Sequence, residues 1–226
     1  IDGGVYPCIS SSWKAGPIIL TCHHFAKKID SKNAIIIFSK ITIKNTTKKN
    51  IDFNFLINSN KNTHVPLKKD PDTNKKNEMI YHLKLKKLEN INLQFASNVD
   101  RFLRRETLKS FGNFDGNLVL LKKHYTDELK RIARPVKLPN NNLISLYKNL
   151  QITLWSSFVK ETNGDIELRG SGGNPHTFYQ YDRTFSHDVP DMVNQFIKDG
   201  DFERARSIIQ SSYFQRLGLE LEQNYI

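Results

Sequence analysis

Hydrophobic residues recur along this chain with two different periods, and the change from one to the other divides it. From Ala34 to Ile43 the run AIIIFSKITI is rich in β-branched side chains and ends in alternation. After the polar stretch KNTTKKN, the segment IDFNFLI alternates strictly, with Ile51, Phe53, Phe55 and Ile57 on one face. A period of two puts every second side chain on the same side of an extended backbone, so each segment predicts a strand with one buried face. Two strands joined by a polar turn predict a hairpin. Asn58 to Asn77 is rich in Asn, Lys, Asp and Pro and reads as a long exposed loop. MIYHLKLKKLENINLQF, from Met79 to Phe95, then alternates again. Strands that recur with no helical period between them predict an antiparallel sandwich.

After about residue 98 the period lengthens. VDRFLRRETLKSF predicts a short helix, FGNFDGN a turn, and LVLLKKHYTDELKRIARP a strand or helix leading into a connector bracketed by Pro135 and Pro139. The Asn run from Asn140 supplies helix caps, and Leu143, Leu146, Tyr147, Leu150, Leu154 and Phe158 follow at helical spacing. After a polar loop, Val189, Met192, Val193, Phe196 and Ile197 mark a second helix with Pro190 in its first turn, where a missing N–H costs nothing. Gly200 is the expected stop and Asp201 the expected cap of a third helix carrying Phe202, Ala205, Ile209 and Phe214. The fold class read from these patterns is α+β. A β-sandwich domain spans residues 1–125, a linker 126–139, and a domain of helical hairpins 140–226.

Composition supports a folded chain. Of 226 residues, 38% are hydrophobic and 11% aromatic, which suffices for a packed core and argues against disorder. No apolar run approaches the roughly 18 residues that a membrane-spanning helix requires. The first residues, IDGGVYPCISSSW, lack a start methionine and a charged leader, and LELEQNYI stops without a cap or polar tail. Both ends read as cut points in a longer polypeptide. The net charge of +11 invites a polyanion partner. The lysines, however, are scattered through strands and loops among Asn and Ile. No basic helix, RNA-binding strand motif or zinc-knuckle spacing accompanies them, so the pattern favours a solvated surface over a nucleic-acid site.

Cys8 and Cys22 flank a turn signal at Lys14-Ala15-Gly16, and a hairpin folded about that turn sets them opposite each other. Two readings stay open: a disulfide, which implies an oxidising, secreted or periplasmic setting, or two small thiols on adjacent strands. No metal site and no cofactor are expected. Two cysteines cannot enclose zinc, and His23 and His24, as adjacent strand residues, face opposite ways. RGSGGNP, Arg169 to Pro175, lacks the Lys-Ser/Thr of a nucleotide cradle and reads as a linker or an active-site loop. Glu161, Asp165 and Glu167 read as solvated loop carboxylates, with a cleft-lining role as the alternative.

The densest chemistry lies in YQYDRTFSHDVPDMVNQFIKDGDFERARSIIQSSYFQRLG, Tyr179 to Gly218. Asp188 stands twelve residues before Gly200, and Asp201-Phe202-Glu203-Arg204-Ala205-Arg206 follows. This spacing resembles the six-hairpin, or (α/α)6-barrel, glycoside hydrolases, the broad class that includes glucoamylases. In that class an Arg-Asp pair opens one barrel helix, a glycine ends it, and an acidic-aromatic-Glu-x-Ala-Arg string opens the next. FSKITIKNTTKKNIDFNFLI looks like part of the sandwich that often precedes such barrels. The residue before the Asp is His187 here, and the nearest acid–arginine pair is Asp182-Arg183.

The resemblance implies the N-terminal part of a carbohydrate-active enzyme that cleaves glycosidic bonds by acid/base catalysis. Its partners would be a carbohydrate substrate and the remainder of a longer polypeptide, with neither membrane nor nucleic acid. Substrate would be bound by Asp188, with Arg183, His187, Asp182 and Tyr181 assisting. Carboxylates accept from vicinal hydroxyls, Arg and His donate, and aromatic faces such as Phe178, Tyr179 and Tyr181 stack on C–H faces. The bland readings are a helix cap for Asp188, a surface ion pair for Asp182-Arg183 and ordinary packing for the aromatics. The general acid and base of this class lie on later hairpins, so they are expected outside this chain. The alternatives are a non-catalytic glycan- or protein-binding module and, less favoured, a basic nucleic-acid-binding protein.

Overall fold

The computed structural model describes residues 6–29, 34–58, 64–75, 78–98, 103–132, 139–156, 158–160, 166–168 and 188–211, and excludes the side chains of 156, 158–160, 166–168, 188 and 189. The chain divides into two compact units. Among the described residues, one holds 7–123 and the other Tyr6 with 124–211.

The first unit is built from eight strands: β1 (Ile9–Ala15), β2 (Ile18–Ile29), β3 (Ala34–Asn45), β4 (Ile51–Asn58), β5 (His64–Pro66), β6 (Thr73–Lys75), β7 (Glu78–Leu85) and β8 (Asn90–Asn98). They form two antiparallel sheets, β1-β2-β3-β8-β5 and β4-β7-β6. Alternation fixes which face each strand buries. Ile41, Ile43, Leu93 and Phe95 from the first sheet meet Phe53, Phe55, Met79, Tyr81, Leu83 and Leu85 from the second in one core. Burial of each such side chain contributes about 1.5–3 kcal/mol. The outer face of the five-stranded sheet is covered in part by α1 (Arg105–Ser110) and the start of α2 (Phe114–Arg131). Phe114 packs edge-on against Phe25, which stacks on Phe38. Lys40 and Gln94 donate to Asp115 at 2.8 and 2.9 Å, and Lys27 donates to Asn117 at 2.9 Å.

The segments expected to be strands are strands, but their partners differ. β3 and β4 do not form a hairpin: β3 lies between β2 and β8, and β4 pairs with β7 in the other sheet. Alternation shows which face a strand buries and leaves its neighbour open. Here residues 46–50 carry the chain across the core. Asn45, fully buried, anchors that crossing. Its amide donates to the carbonyls of Lys49 (2.7 Å) and Lys86 (2.9 Å), and its oxygen accepts from the Thr47 N–H and hydroxyl. The loop expected over 58–77 contains β5 and β6, and Val65 and Pro66 are buried. The first hairpin turns at Gly16-Pro17, with Gly16 at φ +56°, which sets Ser11 opposite Cys22. The expected turn is off by enough that Cys8 and Cys22 do not face each other. The two are not joined by a disulfide; Cys8 is buried and Cys22 half-buried, and burial raises the pKa of Cys22.

The second unit contains the end of α2, α3 (Asn141–Ser156), the short antiparallel pair β9 (Phe158–Lys160) and β10 (Ile166–Leu168), α4 (Asp188–Lys198) and α5 (Phe202–Ile209). Residues 126–131, in the stretch expected as linker, are helical. Leu129, Ile132, Ile152, Trp155, Val193, Phe196, Ala205 and Ile208 form its core. Tyr6 packs against that core and shares a 3.0 Å hydroxyl hydrogen bond with Thr126. α3 buries only part of the expected stripe. Leu154 packs against this core and Tyr147 is half-buried, but Leu143, Leu146 and Leu150 are 39%, 52% and 57% exposed, while Gln151, Ile152 and Trp155 are buried. Likewise α5 buries Ala205 and Ile208 and exposes Phe202 and Ile209, and Phe214 lies outside the described residues. No helix among the described residues is long and apolar enough to cross a membrane.

Candidate functional site

The site argued from sequence sits at the beginning of α4. α4 is described from Asp188, with Pro190 two residues on, and ends at Lys198. Gly200 then takes a left-handed backbone at φ +74°. That conformation suits glycine, which has no Cβ to clash. The Gly200 and Asp201 N–H groups donate to the carbonyls of Ile197 and Phe196, closing the helix, and α5 begins at Phe202. Pro190 has no N–H to give to an earlier carbonyl, which suits a position near the head of a helix. The side chain of Asp188, and all of Tyr181, Asp182, Arg183 and His187, lie outside the described residues. So do Glu161, Asp165, the segment Arg169 to Pro175, Phe178 and Tyr179. Glu167 falls on β10, paired with Val159.

At the other end of α4 the polar geometry is fully defined. Asp199 and Asp201 are buried on either side of Gly200. Asp199 Oδ2 accepts from Gln151 Nε2 at 2.7 Å and from Gln195 Nε2 at 2.9 Å. Asp201 occupies the position that caps α5, yet its carboxylate makes no cap bond. Instead Oδ2 accepts from Trp155 Nε1 at 3.2 Å and from Arg204 Nη1 at 2.6 Å. Arg204 Nη2 donates to Glu128 at 2.8 Å, and its guanidinium lies 4.9 Å from the Trp155 ring centre. Trp155 stacks on Tyr125 with the rings 9° apart. Arg131 bridges Glu128 and Glu203 at 3.2 and 2.6 Å.

Comparisons of the chain with family models, with curated proteins and with solved structures find no match.

The electrostatics identify the cluster as a bracket. Burial disfavours the charged form of Glu128, but the bonds and charges of Arg204 and Arg131 outweigh it and hold the carboxyl below the usual glutamate range. Burial likewise opposes the charge on Arg204, and Glu128 and Asp201 overcome it. Each carboxylate here already has strong donors, so the set fixes the α4–α5 corner to α2 and α3. A cavity of about 200 Å3 beside it is lined by Arg131, Ile132 and the Gly200 to Arg204 turn. Ten residues of helix put that cavity roughly 15 Å along the axis from Asp188, so it does not coincide with the site read from sequence. Among the described residues no three His, Cys, Asp or Glu side chains gather as metal ligands would. Of the bracket, the sequence string held Asp201, Glu203 and Arg204 without their bonds. Trp155 and Glu128 join Asp201 and Arg204 from positions 46 and 73 residues before Asp201, and the i,i+3 spacings of Asp201–Arg204 and Glu128–Arg131 were local signals.

Proposed function

We propose that the chain is part of a carbohydrate-active enzyme of the six-hairpin glycoside hydrolase type, in which Asp188 binds substrate hydroxyls at the head of a barrel helix. One observation carries this reading: α4, which holds Asp188, stops at the left-handed Gly200 and is followed at once by the α5 helix Phe202-Glu203-Arg204-Ala205-Arg206. This is the helix–glycine–helix corner that the motif spacing implies. The preceding antiparallel sheets supply the second element of that architecture, in the expected order.

In this reading the carboxylate at 188 accepts hydrogen bonds from neighbouring sugar hydroxyls, and Arg183, His187, Asp182 and Tyr181 complete the subsite. The acid and base of hydrolysis come from outside the chain. Glu128, Asp199, Asp201 and Glu203 are already engaged by Arg, Gln or Trp donors and do not serve. Calorimetric titration with maltopentaose, for the natural chain and for Asp188→Ala, tests the reading. A charge-assisted hydrogen bond is worth about 1.5–3 kcal/mol, so the variant should bind roughly 10- to 100-fold more weakly. Equal affinity would remove Asp188 from the site.

A further inference from the structure

Among the described residues, α1 and the start of α2 cover only part of the outer face of the five-stranded sheet. Directly paired residues share a face, and the register sets out three rows across β1, β2, β3 and β8 on this side. They are Ser10–His23–Lys40–Gln94, Ser12–Thr21–Thr42–Asn92 and Lys14–Ile19–Lys44–Asn90. The first row meets α2, where Lys40 and Gln94 hold Asp115. Among the described residues no helix lies over the other two: Ser12, Lys14, Lys44, Asn90 and Asn92 are exposed. With strands about 4.8 Å apart, this strip runs roughly 14 Å across the sheet.

We propose that this strip binds an acidic polysaccharide, a linear polyol bearing carboxylate or sulfate groups. Three observations select that chemistry. First, the middle row is a ladder of hydroxyls and amides held in place. Ser12 Oγ lies 3.2 Å from Thr21 Oγ1, and Thr42 Oγ1 donates to Asn92 Oδ1 at 2.7 Å, which leaves the Asn92 N–H groups turned to solvent. Such groups match the hydroxyls of a sugar chain.

Second, charge is one-sided. Lys14 and Lys44 flank the ladder, and neither row carries a carboxylate. Four more exposed lysines, Lys48, Lys49, Lys86 and Lys87, stand on the two turns that Asn45 ties to the same end of the sheet. Among the described residues none of these six is in an ion pair. Glu89, the acid beside them, accepts from the Lys86 backbone N–H. Third, neither row offers a Phe, Tyr or Trp. A nucleic-acid strand would need such stacking platforms for its bases, and a neutral glycan would gain from them for its C–H faces. The aromatics of this face, Phe25 and Phe38, are sealed beneath Phe114. This strip lies wholly in the first unit and does not depend on the Asp188 reading.

Titration with polygalacturonate at low salt, against amylose and single-stranded DNA as comparison ligands, tests the proposal. The natural chain should bind polygalacturonate more tightly than DNA, with affinity falling as salt rises, whereas any affinity for amylose should change neither with salt nor in the lysine variants. The double variant Lys14→Gln/Lys44→Gln should bind roughly tenfold more weakly, and Asn92→Ala about threefold. Lys44→Arg should retain binding, which excludes misfolding as the cause. Lys84→Gln, an equal charge change on the outer face of the other sheet, should have no effect. The proposal is overturned if Lys84→Gln weakens binding as much as Lys44→Gln. It is also overturned if DNA binds as tightly as polygalacturonate, or if nothing binds at low salt. Asp188→Ala should leave polygalacturonate affinity unchanged, so the failure of either reading is separately visible.

Discussion

In the sandwich, Phe95, Leu93, Tyr81 and Leu83 fill the space between the sheets, and the buried polar side chains, among them Asn45, Ser39, Gln94 and Ser97, are uncharged. In the helical hairpin, Asp199, Asp201 and Gln151 are buried beside Phe196 and Trp155, while Leu143, Leu146 and Leu150 are left outside. A strand offers two faces, and alternation selects one. A helix offers a continuous surface, and the face it buries is decided by its neighbours. The second unit therefore takes specificity from directional bonds around Asp201 that the first obtains from apolar shape. It also keeps an apolar stripe on α3 that local pattern marks as core.

This contrast can be broken at named positions. The largest effect is expected for Phe95→Ala, which removes a ring 1% exposed at the centre of the sandwich and should cost about 3–5 kcal/mol in urea unfolding. Next comes Asp201→Ala. It leaves Trp155 Nε1 and the Arg204 guanidinium without their shared acceptor and should cost about 2–4 kcal/mol. Asp201→Asn should recover only part of that loss, whereas in a cap-only role Asn would serve as well as Asp and Asp201→Ala would cost about 1 kcal/mol.

Smaller, and dependent on pH, is the contribution of Glu128. Its folded-state pKa is depressed, so the unfolded chain takes up the proton first as the solution is acidified. The stabilisation is complete above the ordinary glutamate value of about 4.3 and is lost as pH falls through the folded-state value. Thermal midpoints between about pH 3 and 6 should fall less steeply for Glu128→Gln than for the natural chain. The smallest effect is expected for Leu150→Ser: at 57% exposure it should change stability by about 0.5 kcal/mol or less. A loss comparable to that of Phe95→Ala would mean that the α3 leucines are core after all.

What was legible in the sequence follows the same division. The faces of β3, β4 and β7 were readable because Ile51, Phe53, Phe55 and Ile57 repeat with a period that only an extended chain satisfies. Their pairing was not, because the crossing at Asn45 depends on carbonyls of Lys49 and Lys86, the latter 41 residues away. β5 was hidden because three residues, His64–Pro66, are too few to show a period. The ends of α4 were readable because Pro190 and Gly200 are constrained by backbone geometry itself. The bracket behind them was not, since Asp201 looks like an ordinary cap until Trp155 is brought to it. Of the site at Asp188, the sequence indicated the helix start, and the partner positions 181–183 and 187 fall outside the described residues.

The most direct test of the carbohydrate reading is a backbone amide map by NMR during titration with maltopentaose. Binding at the head of α4 predicts that the largest shifts fall at residues 181–192 and disappear in Asp188→Ala. Shifts absent from that segment, with changes elsewhere or none at all, would contradict it.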